Sequence, residues 1–413
     1  MVQMGIEEAD MESQKAQKTG KRRSLATLII YIFILIPFVI PLLMFLFWWL
    51  APQQPMNIFL VDKSSMTDQY QEHRSVNWLL NYHKFTRNDH NYYRQDIDYF
   101  GFFPEADRQY RIHDIENYPD TKLDSLAEAY DMIYYADMYG IYHDIWYFQA
   151  NVARRPNRPG DLLYGGMSEA ELKLMKKMRE YNKLIINEFN TFIEPTGKMI
   201  RDQWTEETGI VWSGWTGRYF TSLDSLQNDE LPYWIVDSYR AENGGRWPFT
   251  KSGIVFLDNH QNVVVLEKGT HLGDEVPVII TGDYARAHYG LPREIQYPFW
   301  FNVVSADSTN QVLAEFKIDV NPRGECTLKR HGIPLRFPAV VQNIEYPKFY
   351  YFAADFADNP IQRVALARFR GIRLFRKSFY NKKNPSERRD FFWEYYFPLM
   401  SKILNNYYRE IAR

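Results

Sequence analysis

The 413-residue chain is poor in the residue types that usually announce a chemistry. It has a single cysteine, Cys326, which excludes an intrachain disulfide framework and any paired-thiol metal site. Stability must therefore come from packing. Nine histidines are present, but no His-x-His or His-Glu-x-x-His spacing occurs, so no zinc signature can be written. Gly-x-Gly-x-x-Gly and Walker-type phosphate loops are missing, as is a Gly-x-Ser-x-Gly elbow, and no cofactor is called for. There is no internal repeat.

Aromatic residues, by contrast, are plentiful: 30 Tyr, 28 Phe and 11 Trp make up 17% of the chain, enough to build a large core. The net charge of −2 conceals an asymmetry. Residues 361–413 carry 13 Lys or Arg against 4 Asp or Glu, and the first 24 residues are nearly neutral, so the stretch between holds about −12. A basic aromatic tail on an acidic body suits contact with an anionic surface or polymer, or simply a solvated helix face. Nucleic acid is not an expected partner of an acidic body.

The longest run without a charge is Leu25 to Leu50, directly after Lys21, Arg22 and Arg23. It exceeds the roughly 20 helical residues that cross a bilayer, and Trp48 and Trp49 close it at headgroup depth. A cleavable leader would want a shorter core and a small-residue cleavage site. The sequence thus predicts a cytoplasmic tail over 1–24, a single transmembrane helix over 25–50 and an extracytoplasmic remainder. Its N-terminus is set in the cytoplasm by the flanking positive charge.

Within that remainder, 51–245 reads as an α/β domain. Asn57 to Asp62 is a compact apolar run, as are Tyr130 to Asp137 and Lys183 to Asn190, the look of buried parallel strands. Between the last two, Ser168 with Glu171 predicts a capping box opening a helix. From 246 to 360 the pattern changes to strand candidates separated by turns, including a hairpin from Gly253–Leu257 and Asn262–Leu266. This reads as a β-rich module, and 361–413 as a helical tail.

The order of these elements, with Gly165-Gly-Met-Ser-Glu-Ala-Glu-Leu172 and Leu184-Ile-Ile-Asn-Glu-Phe189, resembles the class I glutamine amidotransferase-like superfamily over about residues 57–240. The resemblance implies a mostly parallel three-layer α/β fold. It also implies a nucleophilic Cys on a sharp strand-to-helix turn, and here the chain departs: Cys326 lies far away in Arg-Gly-Glu-Cys, read as a turn. The likeness therefore implies a member without amidotransferase chemistry.

Asp62, Asp137 and Glu188 each fall near the C-terminal end of a predicted strand, where open α/β sheets bind ligands. Asp137 and Glu188 are the candidate acid and base of a carbohydrate-active hydrolase. Asn187-Glu188 is similar to the Asn-Glu pair of glycoside hydrolase barrels, though the α/β half is short of the roughly 250 residues a barrel takes. Alternatively, these acids cap helices or pair with Arg74 and Arg218. Gly209 to Phe220, read as a loop, gathers Trp212, Trp215, Arg218 and Tyr219, and Asn190 and Arg201 are expected to line the same crevice. Flat rings beside an arginine suit sugars or anions. Three expectations follow: a membrane-anchored protein binding envelope polysaccharide or a partner in its handling, a membrane-tethered hydrolase, and a non-catalytic scaffold.

Overall fold

The computed structural model describes residues 31, 34–148, 161–361 and 363–412. Five parallel strands form the middle of a ten-stranded sheet. In chain order they are β1 (Ile58–Asp62), β2 (Phe100–Pro104), β3 (Met132–Asp137), β4 (Leu184–Glu188) and β5 (Phe349–Phe352). In space they run β5-β4-β3-β1-β2. All residues of β1, β3, β4 and β5 are buried, as expected of strands covered on both faces.

Period-two alternation splits these strands between two cores. Ile58, Leu60, Tyr134, Ile186 and Phe352 face one, shared with α1 (Gln71–His83) and the C-terminal aromatics Phe391 to Tyr407. Phe59, Val61, Tyr135, Ile185 and Tyr351 face the other, shared with α2 (Asp120–Ala129) and α3 (Glu169–Glu180). The result is a three-layer α/β arrangement. Ser168 caps α3 as the sequence predicts, with Glu171 completing the capping box. Gly101 shows how tightly β2 meets β1: its φ is +137°, and a Cβ there would lie 1.7 Å from the Asp62 carbonyl oxygen.

The expected boundary at residue 245 does not separate two sheets. β5 inserts beside β4, and the antiparallel strands Arg336–Asn343, Asn310–Lys317, Val278–Thr281 and Glu294–Gln296 continue the same sheet outward. A second, four-stranded sheet joins Ile210–Phe220 to the Gly253–Asp258 and Val263–Glu267 hairpin and to Phe301–Ala306. The supposed Gly209–Phe220 loop is thus mostly strand. Arg-Gly-Glu-Cys is helical within Pro322–Arg330, and Cys326 is exposed.

The predicted fold class is corrected at the N-terminus. Among the described residues no helix is long and apolar enough to cross a membrane. The helix observed there covers 34–50, and residues 25–30, 32 and 33 of the predicted span lie outside the described residues. The end of this helix meets protein. Trp48 is 4% exposed, and its indole Nε1 donates to the Asn81 carbonyl at 2.9 Å. Arg370 donates its amide to Met44, Phe45 packs on Phe369, and Lys84 caps the Trp49 carbonyl at 2.9 Å. Tryptophans read as headgroup markers therefore divide between core and surface: Trp49 remains exposed. The single-pass membrane placement, with a cytoplasmic N-terminus and an extracytoplasmic domain, loses its support with the span.

The tail is also packed more deeply than a solvated basic segment. Trp393, Tyr395, Tyr396 and Phe397 are buried, and the Tyr396 hydroxyl lies 2.8 Å from that of Tyr134 on β3. Its aromatics belong to the core, while most of its cations stay at the surface.

Candidate functional site

Parallel strands share one polarity, so residues ending them share one end of the sheet. The register sets Asp62 of β1 beside Asp137 of β3 and Phe352 of β5 beside Glu188 of β4. The three predicted carboxyls thus do end neighbouring strands at one rim, each in different company.

Asp62 is fully buried and saturated. It accepts from the amides of Ser64 at 2.8 Å and Ser65 at 3.2 Å, from Ser65 Oγ at 2.6 Å, and meets His73 Nδ1 at 2.5 Å. The other imidazole nitrogen faces the Gln95 carbonyl at 2.8 Å. Ser65 Oγ also lies 2.9 Å from Glu72. One hydroxyl carries one hydrogen, so two carboxyl contacts require a proton from one carboxyl side. Glu72 supplies it: burial raises its pKa well above the ordinary carboxylate range, and the nearby Asp62 and Asp358 push the same way.

Asp137 is 6% exposed. Its Oδ1 accepts from the Tyr139 amide at 2.7 Å and sits 3.5 Å from the Asn190 amide nitrogen. Burial pushes it up to about 7; the Tyr139 hydrogen bond opposes this and the Asp62 charge adds to it. Glu188 is completely buried, and burial raises its pKa strongly. The Tyr134 hydroxyl and the amides of Phe356 and Ala357 lie near it, but none closes a well-formed hydrogen bond. Asp355, also raised by burial and by Asp358, Asp137 and Glu188, leaves one carboxyl oxygen unpartnered.

Directly after Glu188, Phe189 adopts φ +40° at a strand-to-helix turn. Its phenyl ring is 3% exposed.

The rim continues into a cationic side. Asp358 accepts from Gln71 at 2.5 Å and pairs with Arg388 at 3.1 Å, and the charges of Arg74 and Arg218 also act on it or are acted on by it. The guanidinium carbons of Arg388 and Arg218 lie 3.6 and 4.8 Å from the centre of one ring, Phe299, itself half-buried beside Trp300. Of the predicted ligand-binding residues, Asp62 and Asn190 join Asp137, and Arg218 joins Asp358. The others are held elsewhere. Arg201 pairs with Glu194 at 3.0 Å and covers Trp212; Trp215 packs edge-on to His331; the Tyr219 hydroxyl donates to Glu275. Successive strand residues point to opposite faces, which is why one cluster in sequence becomes several in space.

Sequence reasoning reads His73 as an ordinary polar or core residue and does not place Glu72, Arg388 or Phe299 at a site. The α1 pair was findable, since a helix beginning nine residues after Asp62 returns its first turn to the strand end; Arg388 and Phe299 had no local signal. Among the described residues no three His, Cys, Asp or Glu side chains are grouped to hold a metal ion.

No family model and no curated protein matches the chain. Solved structures give two loose overlaps. A thua-like protein from Bacteroides uniformis ATCC 8492 is 13% identical over 81% of this chain and 97% of that one, with a TM-score of 0.32. Another from Parabacteroides merdae ATCC 43184 is 12% identical over 72% and 79%, with a TM-score of 0.31. Overlaps at these TM-scores carry no argument.

Proposed function

We propose that this chain is an amidotransferase-like α/β protein that binds a saccharide at the carboxyl-end rim of its parallel strands, without amidotransferase chemistry and without cleaving the sugar. The observation that carries this reading is the contrast between the rim's two sides. Glu188, the expected partner of Asp137 in a hydrolase, is fully buried behind Tyr134 and the 356–357 backbone, so a polymer has no path to it. A two-carboxylate mechanism needs both groups flanking one glycosidic bond. Phe299 and Trp300, in contrast, keep partly exposed rings next to Arg218 and Arg388, the flat apolar surface with fixed polar groups that sugars use.

The test is a panel of oligosaccharides offered to the full-length chain, with binding read by calorimetry and products by mass spectrometry. Binding without new masses, and lost in Trp300→Ala, supports the reading. Cleavage that vanishes in Glu188→Gln overturns it in favour of the hydrolase, and no binding by any sugar overturns it outright.

A further inference from the structure

The Arg218–Phe299–Arg388 group holds guanidinium donors that its partners use only in part. Both guanidinium carbons belong to one ring, so they stand no more than about 8.4 Å apart. Burial lowers the pKa of Arg218 to about 10, Glu230 opposes this, and the like charge of Arg388 adds to it. Arg218 is 14% exposed in its side chain, yet among the described residues its Nε has no hydrogen-bond partner and its ion pair is with Glu230, a carboxylate that is itself 73% exposed. An exposed partner of that kind is hydrated and weakly held. Arg388 bonds Asp358 through one terminal nitrogen, to the carbonyl at 2.7 Å and to the carboxylate at 3.1 Å, which leaves the rest of its fork unused. Arg74 adds a third cation near Asp358. Asp358 and Glu72 both act on Arg74, and Glu230 and Asp358 act on Arg218.

The donors that Arg388 leaves open, and those of Arg218 held by an exposed carboxylate, belong to planar forks. Guanidinium forks match a carboxylate in two parallel hydrogen bonds. We infer that Arg218 and Arg388 form a carboxylate subsite beside Phe299 and Trp300, and that the bound saccharide is acidic, of the uronic-acid class. This rests on the saccharide reading above. The sugar ring lies on the aromatic surface, and its carboxylate takes the terminal nitrogen of Arg218 that now faces Glu230 and the open edge of Arg388, displacing the hydrated Glu230.

The experiment compares a trigalacturonate, a neutral galactotriose and a sulfated galactotriose on the full-length chain at low ionic strength. A charge-assisted fork predicts roughly ten- to hundredfold tighter binding of the uronate than of the neutral sugar. That preference, taken as the ratio of the two affinities within one protein, should collapse to about onefold in Arg388→Gln. Arg218 is buried enough that Arg218→Gln can unfold the region, so the decisive variant is Glu230→Gln at the surface, which frees the guanidinium and should strengthen uronate binding several-fold. Equal binding of neutral and acidic sugars overturns the subsite while leaving saccharide binding intact. Sulfate binding as tight as uronate overturns the carboxylate assignment. Silence from all three sugars removes both readings together.

Discussion

Replacing Asp137 by Asn tests the electrostatics of the rim. The substitution keeps an oxygen to accept from the Tyr139 amide and removes only the titration. Asp137 is held near 7 against an ordinary value of 3.8. Its folded pKa is raised, so between pH 4 and 7 the native chain keeps a proton that the unfolded chain has released. Stability from this group is present below the unfolded pKa and is lost as pH rises through the folded one. The loss runs at up to about 1.4 kcal/mol per pH unit, and reaches about 4 kcal/mol above pH 7. Asp137→Asn should therefore match the wild type near pH 4 and become more stable than it by about 3 to 4 kcal/mol at pH 8. Urea unfolding of both proteins at half-unit steps from pH 4 to 8, followed by tryptophan fluorescence, reads the difference. Glu72 adds a slope of the same sign to both proteins and cancels; Glu188 and Asp355, which the Asp137 charge helps to raise, add shallower slopes in the variant, so they widen the difference in the same direction. A difference that stays flat with pH refutes the argument, because it would mean that Asp137 releases its proton in the folded state as readily as in water.

Three further outcomes follow from the packing. Lys63 is 2% exposed and bonds Glu171 and the Gly166 carbonyl, each at 2.8 Å; Lys63→Met strands a buried carboxylate and should cost about 3–5 kcal/mol, part of it recovered in the Lys63→Met, Glu171→Gln double variant. Gly101→Ala must move β2 off the Asp62 carbonyl, so in place of the gain of up to about 1 kcal/mol that an unstrained glycine replacement brings, it should cost more than that amount, and thermal melting will show it. Trp393→Ala empties a buried site stacked on Phe379 and Phe397 and should lower unfolding stability by about 3–5 kcal/mol in the same urea assay.

How far the sequence could be read depended on whether a signal was local. β1, β3 and β4 announced themselves as short apolar runs ending in acids, and Ser168 with Glu171 announced the start of α3, because burial on both faces and helix capping are written within a few residues. β5 was read as a strand but given to another module, since nothing in Phe349 to Phe352 tells which neighbour it will pair with 160 residues earlier. The strand Ile210–Phe220 was hidden by its glycines, which favour turns. The apolar run before Leu50 fits lipid and protein equally well on hydropathy alone; Trp48 shows the difference only through Asn81, whose place in α1 is a tertiary fact. The same holds for the site. Asp62, Asp137 and Glu188 were legible from strand ends, whereas the Arg218–Phe299–Arg388 group draws on residues up to 170 positions apart.

The hydroxyl pair of Tyr134 and Tyr396 has a consequence for the order of synthesis. These residues are 262 positions apart, and His83 meets Ser401 across 318. One face of β1, β3 and β4, all within the first half of the chain, is covered in part by α1 and completed only by the helix Phe397–Ile411. Until then Tyr134, Trp78 and Leu80 have only part of their cover, and loop closure over such distances is slow. A chain stopped short of residue 390 is thus one whose earliest strands are complete but uncovered. Newly made protein should lean on chaperones most heavily at its very end.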